Sequence, residues 1–498
     1  MVRAWNGCPD LIIFIQGFWA GAVAFVFCKI IRLFFCKNNW KDYSLSTLAF
    51  AFGVTSWPFF MQVGTSTNEM MISLFVLASW WLILREIKIN SDTQLRGKIF
   101  LLAGFLLGAA AGLKLTAATY CVASGVAIIL LYRFLRPFPK ILGLFVLGGI
   151  LGFLLTNGFW MWRLYESFGN PFFPLLNNIF QSEYYDLKSF RDETYLPKNL
   201  WEYLFQPFFM AALKLKTEGE FMIVDYRNLL LYILAVVFFI YYLIKLIKRE
   251  AKTLKVSKLT LMLVALCCCS YVSWLLLFSI LRYYIPVSLL SGIVFVKAGV
   301  FLYCKKEGKL QTIGISLMII VSYILLTTVY YSDHWDKRNL LNSTFSIFEE
   351  LRPELKEDRA YIEKYGKFKG LVEVEDVVLS EGTVLQMYEM PAGGSLPLLN
   401  QRTNIRGILM DSSGFNHEGK IFRKGKWLEQ KEKILSEYKG SEAILVSLEI
   451  RKISRIKHYR QYAKQNNLEC HWLINNVMNW VLCVPKEDVK SVFRWRYQ

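Results

Sequence analysis

Runs of apolar residues about twenty long recur through the first two thirds of the chain, and no other feature limits its fold as strongly. Each can cross a hydrocarbon core about 30 Å thick, where a backbone must satisfy its own donors and acceptors, as a helix does. They lie near 11–35, 45–63, 69–86, 99–113, 116–133, 141–163, 228–247, 259–279, 284–303 and 311–331, which makes ten expected spans. With 54% hydrophobic and 19% charged residues in 498, the disordered, collagenous and disulfide-scaffold classes are excluded. Beyond Tyr331 the chain turns polar.

The formal charge of +19 raises nucleic acid as a partner, but the cations follow membrane sidedness instead. One set of short connections carries Lys37 and Lys41, then Arg85, Lys88, Arg96 and Lys98, then Arg133, Arg136 and Lys140. It continues with Lys245 to Lys258 and Lys305 to Lys309, and cytoplasmic loops collect such residues. The alternate connections, at 64–68, 112–116 and 280–283, hold only Lys114 and Arg282. Both termini, the long 164–227 loop and everything after residue 331 are therefore expected outside the cytoplasm of a bacterial plasma membrane, with no nucleic acid involved. The first span is not a cleaved signal, because Lys29 and Arg32 follow its apolar part. With an outside terminus so close to an outside-in span, either that span translocates its short N-terminus directly or a helix upstream of Met1 is missing.

The ten cysteines form neither CxxC pairs nor zinc spacings, and Cys28, Cys121 and Cys267 to Cys269 sit inside apolar runs. Cys470 and Cys483 are the one pair whose position invites a disulfide. Gly104, Gly108 and Gly112, like Gly148 and Gly152, recur at four-residue spacing, which lets helix backbones approach closely. The string GAAAGLKLT at Gly108 to Thr116 is one residue too short between its glycines for a phosphate-binding loop.

Ionisable residues are costly in a membrane, and those near span ends gather on the outer side. Glu69 opens the third span, Lys114 lies at the break between the fourth and fifth, and Arg163 and Glu166 end the sixth. Asp225 and Arg227 open the seventh, and Arg282 with Tyr283 and Tyr284 opens the ninth. Singly, each is accounted for as a snorkelling or interfacial anchor. Together, two cations kept on the face that excludes cations point to an anionic headgroup. Between Trp160 and Phe209 the chain is rich in aromatics, prolines and amides, suiting a loop folded back on the membrane surface. Gly169-Asn170-Pro171 marks a tight turn, Arg191-Asp192-Glu193 a charged loop, and Leu200 to Leu215 an amphipathic interfacial helix.

Four stretches carry a resemblance: GNPFFPLLNNIF (Gly169 to Phe180), FRDE (Phe190 to Glu193), AAAGLKLTA (Ala109 to Ala117) and RYYIP (Arg282 to Pro286). Together they resemble bacterial membrane glycosyltransferases of the GT-C type, similar to the protein O-mannosyltransferase and aminoarabinose transferase families, over residues 11–331. The resemblance implies sugar transfer outside the cytoplasm, from a polyprenyl-phosphate sugar to a glycan, lipid or protein acceptor. On it, Lys114 and Arg282 bind the phosphate with Arg163 and Arg191 in reserve, and Asn170 and Tyr283 complete the substrate-binding set. Arginine pairs bidentately with phosphate, lysine adds a point charge, and the departing phosphate needs its charge stabilised.

The family's first external loop, which supplies an acidic general base, has no counterpart here. Glu69 is the leading replacement, followed by Asp192, Asp225 and Asp10; the departure leaves either an incomplete N-terminus or an inactive chain. No resident cofactor is assigned and no metal-ligand spacing is present, although a divalent cation is compatible with this chemistry. Two other classes fit the spans: an O-antigen polymerase or ligase, and a transporter or flippase. Transporters gather charge at mid-membrane, whereas these charges gather at the outer ends.

Residues 332–498 read as a small extracytoplasmic α/β domain after the 1–331 membrane domain. Strands are expected at Leu371 to Leu379, Val384 to Met390, Ala443 to Leu448 and Trp480 to Val484, with helices at Thr344 to Tyr365 and Trp427 to Tyr438. His334, His417, His458 and His471 lack metal-ligand spacing, and Arg451 to Arg460 reads as a solvated basic face. Acceptor docking is the role expected of this domain.

Overall fold

A computed structural model of the protein describes residues 9–35, 39–63, 67–90, 95–133, 138–185, 195–211, 226–247 and 257–303. It also describes isolated positions between 187 and 193 and between 314 and 323, six strands after residue 370, and a few residues near those strands. The chain divides into two compact units. One comprises Phe14–Trp162 with Asp192–Trp335, the other Met1–Ile13, Arg163–Arg191 and Asp336–Gln498.

The first unit is a helical bundle. In chain order its helices are α1 (Pro9–Phe34), α2 (Trp40–Val54), α3 (Trp57–Gln62), α4 (Glu69–Ile89), α5 (Gly97–Leu113), α6 (Ala118–Tyr132) and α7 (Phe138–Phe168). Among the described residues, six stretches of helix are long and apolar enough to cross a membrane: Phe14–Phe34, Glu69–Ile89, Leu115–Tyr132, Phe138–Phe168, Lys258–Leu277 and Leu281–Tyr303. Gly97–Leu113 and Arg227–Phe238 are shorter apolar helices. The expected span at 45–63 is instead two helices. Pro58 offers no N–H to the carbonyl four residues earlier, so α2 stops at Val54 and Thr55 turns its hydroxyl back to the Ala51 carbonyl at 2.7 Å. Most of the expected span at 311–331 lies outside the described residues.

α5 and α7 pack through their glycines. A Cβ on Gly104 or Gly108 would strike the backbone of Phe145 or Gly149, and one on Gly148 or Gly152 would strike that of Leu101 or Phe105. Backbones this close gain dispersion contacts that bulkier residues forbid, in a medium where burial from water contributes nothing. Away from that seam α7 is outward and apolar, with Leu155 and Phe159 more than 70% exposed.

α4 and α5 run antiparallel with an ion pair at each end of the hairpin. At one end Glu86, buried at 1%, accepts from the Arg96 guanidinium at 2.8 Å and from the Arg96 backbone N–H at 2.8 Å. At the other end, about 25 Å away along α4, Glu69 pairs with Lys114.

In the second unit the loop after α7 leads to α8 (Asn177–Phe180). In the first, α9 (Leu200–Leu204), α10 (Gln206–Ala211), α11 (Arg227–Ile247), α12 (Lys258–Leu277) and α13 (Ile285–Tyr303) follow. The amphipathic helix expected over Leu200 to Leu215 is split between α9 and α10, and residues 212–215 lie outside the described residues. Its two-faced character remains. Leu200 and Trp201 are exposed, while Gln206 and Met210 are buried and Gln206 accepts from the Tyr271 hydroxyl of α12 at 3.0 Å.

After residue 370 the described residues form a six-stranded sheet of order β1-β5-β6-β4-β2-β3. The strands are β1 (Leu371–Glu373), β2 (Val384–Tyr388), β3 (Arg406–Asp411), β4 (Glu442–Ser447), β5 (Leu468–Ile474) and β6 (Trp480–Pro485). β6 runs against β4 and β5; β1 is parallel to β5, and β2 is parallel to both β3 and β4. Cys470 of β5 lies directly opposite Cys483 of β6, and the two form a disulfide. Four strands fall where alternation placed them; β3 and β5 do not. Charged and polar residues in RGILMD and LECHWLI hide their alternation. The expected helix at Thr344 to Tyr365, and all of that at Trp427 to Tyr438 except Lys433, lie outside the described residues.

Candidate functional site

Three chain breaks at one end of the bundle carry the ionisable residues of the candidate site. Glu69 is the first residue of α4, where a carboxylate is favoured by the unpaired N–H groups of the helix start. Lys114 caps the C-terminus of α5 in an extended conformation, before a 3-10 turn at Leu115–Ala117 that leads into α6. Arg282 belongs to a second 3-10 turn, Leu281–Tyr284, ahead of α13. That turn is held from α12: the Trp274 indole donates to the Ile280 carbonyl at 2.7 Å, and Ser279 takes a left-handed φ of 54° to reverse the chain.

The breaks converge on one carboxylate oxygen. Lys114 Nζ lies 2.6 Å from Glu69 Oε1, and Arg282 Nε lies 3.6 Å from the same atom. The Tyr283 ring lies against both cations, its centroid 4.6 Å from Lys114 Nζ and 5.3 Å from the Arg282 guanidinium. Such contacts hold cations over a π face without consuming their hydrogen-bond capacity. Tyr120 of α6 donates its hydroxyl proton to the Tyr283 carbonyl and so fixes the turn from behind. The Glu69 side chain is 4% exposed, that of Lys114 24% and that of Arg282 39%. The negative charge is therefore sealed beneath and the positive charges lie toward solvent. A pocket partly open to solvent is lined by these residues with Ser73, Thr116 and Pro286 among others.

Beneath the carboxylate, polar groups run along the ends of α1, α3 and α4. Thr67 donates to Gln62 Oε1 at 2.5 Å, and Gln16 donates to the Thr67 carbonyl at 2.7 Å. Sequence reasoning missed Tyr120, Gln62 and Gln16, which nothing but nearness to a span end distinguishes.

Of the remaining expected residues, Arg163 and Asn170 belong to the other unit and Arg227 to the same one. Arg163 is exposed on α7 and pairs with Glu166 one turn on, at 3.3 Å. Asn170 is fully buried in its own loop, where its Oδ1 accepts from Phe172 N at 2.8 Å and its Nδ2 donates to the Leu175 carbonyl at 2.9 Å. With both polar atoms engaged, Asn170 shapes the turn, and a substrate contact would cost those bonds. Asn177 repeats the device, donating to the Ser182 and Tyr185 carbonyls at 2.9 Å each and accepting from Ser182 N at 2.9 Å. Arg191, Asp192 and Asp225, and the side chain of Asp10, lie outside the described residues. Arg227, at the start of α11, is buried at 1%; it donates to Thr55 Oγ1 at 2.9 Å and lies 4.8 Å from the Phe52 ring centroid, bracing the α2–α3 break. Among the described residues no group of three His, Cys, Asp or Glu side chains is placed to hold a metal ion.

No family model matches the sequence, and no curated protein does. Among solved structures the chain is similar to the crystal structure of ArnT from Cupriavidus metallidurans bound to undecaprenyl phosphate. The identity is 12% and the TM-score 0.45, over 98% of this chain and 85% of that one.

Proposed function

We propose that the chain is an integral membrane glycosyltransferase that takes a sugar from a polyprenyl-phosphate donor and passes it to an acceptor outside the cytoplasm. The observation that supports this most directly is the placement of Lys114 and Arg282 around one pocket at the end of an apolar bundle. A lipid-linked phosphate needs both surroundings: hydrocarbon for its tail and paired cations for its head.

In this reading the prenyl chain lies along the lipid-facing bundle and the phosphate meets Arg282 and Lys114. Arg282 offers a planar fork of N–H donors and Lys114 a mobile point charge. As the bond from the sugar C1 to the phosphate oxygen breaks, that oxygen gains negative charge, which the two cations stabilise before and during the step without rearranging. Lys114 exchanges Glu69 for the phosphate, which leaves the carboxylate to take the proton of the attacking acceptor hydroxyl. The bond from acceptor oxygen to C1 forms, the bond from C1 to phosphate oxygen breaks, and the proton ends on Glu69. Asp192, Asp225 and Asp10 are the alternative acceptors of that proton, and Arg163 and Arg191 the reserve cations. The C-terminal sheet is proposed as an extracytoplasmic acceptor-docking domain, and its Cys470–Cys483 disulfide supports an oxidising compartment.

The test is release of polyprenyl phosphate from a polyprenyl-phosphate sugar by the full chain in lipid nanodiscs. Arg282→Ala is expected to slow release roughly 10²-fold, the scale for losing one preorganised donor to a developing oxyanion. Release that is absent in the parent protein, or unaltered by that substitution, removes the assignment.

A further inference from the structure

We infer that Glu69 sets the net charge of the site so that it retains a singly charged phosphodiester and rejects a doubly charged phosphomonoester, which makes Glu69 the residue that releases the spent lipid carrier. The inference rests on the proposed function and deepens it. Among the described residues lining the pocket, those ionised at neutral pH are Lys114, Arg282 and Glu69, and these two cations and one carboxylate together carry a charge of +1.

A sugar joined to a lipid through phosphate is a diester and carries one negative charge, so it neutralises the site. The lipid phosphate left after transfer is a monoester with a second ionisation near pH 6, and at pH 8 it carries close to two. Attraction to the cations grows in proportion to ligand charge, whereas the cost of removing that charge from water grows with its square. At the end of an apolar bundle the monoester's second charge therefore has no complement while Glu69 is ionised. During the transfer itself the balance holds. The monoester gains one negative charge as Glu69 gains one proton, so the site stays neutral through the step. Once Glu69 passes that proton to water, the mismatch appears and the product leaves.

The burial pattern supports this assignment over a purely structural ion pair. Glu69 is sealed under the cations and remains near them when a ligand enters from solvent, whereas a carboxylate at the mouth would be displaced. Its Oε1 faces both cations, so its charge acts on the whole phosphate site rather than on one partner.

The experiment measures binding of two probes to the full chain in nanodiscs, farnesyl phosphate as monoester and farnesyl methyl phosphate as diester. At pH 8 the wild type is expected to prefer the diester roughly tenfold, and Glu69→Gln to abolish or reverse that preference. A second measurement needs no variant. Between pH 5.5 and pH 8 the monoester should weaken roughly tenfold in the wild type while the diester, which has no ionisation in that range, holds within about threefold. The charged and titratable groups among the described residues lining the pocket are Lys114 from the end of α5, Arg282 and Tyr283 from the 3-10 turn ahead of α13, Glu69 from α4 and Tyr120 from α6. Binding of both probes with a wild-type preference for the monoester at pH 8 overturns the inference and leaves the proposed function standing. Binding of neither probe overturns both. A folded Glu69→Gln protein that keeps the wild-type preference overturns the inference alone.

Discussion

Glu69 and Lys114, 45 residues apart in sequence, meet at 2.6 Å where α4 begins and α5 ends. The pair closes one end of the α4–α5 hairpin as Glu86 and Arg96 close the other. Glu69 is nearly fully enclosed, so removing Lys114 leaves its charge to the longer contact with Arg282, at 3.6 Å. Lys114→Met is expected to cost about 2 kcal/mol, less than the ~3–5 kcal/mol of a fully buried pair because the lysine is partly solvated. Adding Glu69→Gln should return part of that loss, with a coupling energy of about 1–3 kcal/mol. Thermal unfolding of the four proteins in detergent measures it, and simple additivity would refute the coupling.

The α5–α7 seam allows no side chain where the backbones touch. Gly108→Ala is expected to destabilise by about 1–3 kcal/mol, since its Cβ would meet the Gly149 carbonyl. Gly158→Ala is the control: a Cβ there meets nothing within 4 Å, and the change should stay within about 0.5 kcal/mol. Equal melting temperatures for the two variants would contradict the packing described.

Asn177 ties its loop with three bonds to backbone groups while fully buried. Asn177→Ala leaves those groups unpaired, at about 1 kcal/mol or more each, and should open residues 169–185 to limited proteolysis. Unaltered cleavage kinetics would show that the loop is held by something else.

The Cys470–Cys483 disulfide closes a hairpin of separation 13. Peptide mapping of unreduced protein should recover the two cysteines cross-linked, and replacing both by alanine should cost about 2–3 kcal/mol. Two freely alkylated thiols at these positions would argue against both the bond and an oxidising location for the sheet.

Sidedness is testable by itself. In a background without other reactive cysteines, Thr116→Cys is expected to react with an impermeant maleimide from outside the cell, and Lys98→Cys only after permeabilisation. The reverse pattern would turn the site toward the cytosol and end the proposed chemistry.

Length and hydropathy are local properties, which is why they were legible. A run of twenty apolar residues specifies a spanning helix wherever its neighbours sit, and six helices of that kind lie among the described residues. Glycines four apart specify a close-packing face before the partner is known, and α7 supplies that partner. Position marked Cys470 and Cys483 only as the pair to check, and the register of β5 against β6 is what sets them opposite each other. Only the tertiary structure could bring Glu69, Lys114 and Arg282 onto one oxygen atom, because their breaks lie far apart in sequence and nothing local encodes which helix ends become neighbours. It also decided that Asn170 turns inward and that Pro58 divides α2 from α3. In each case the outcome depended on where a polar atom found its hydrogen-bond partner, and that is a property of the folded chain.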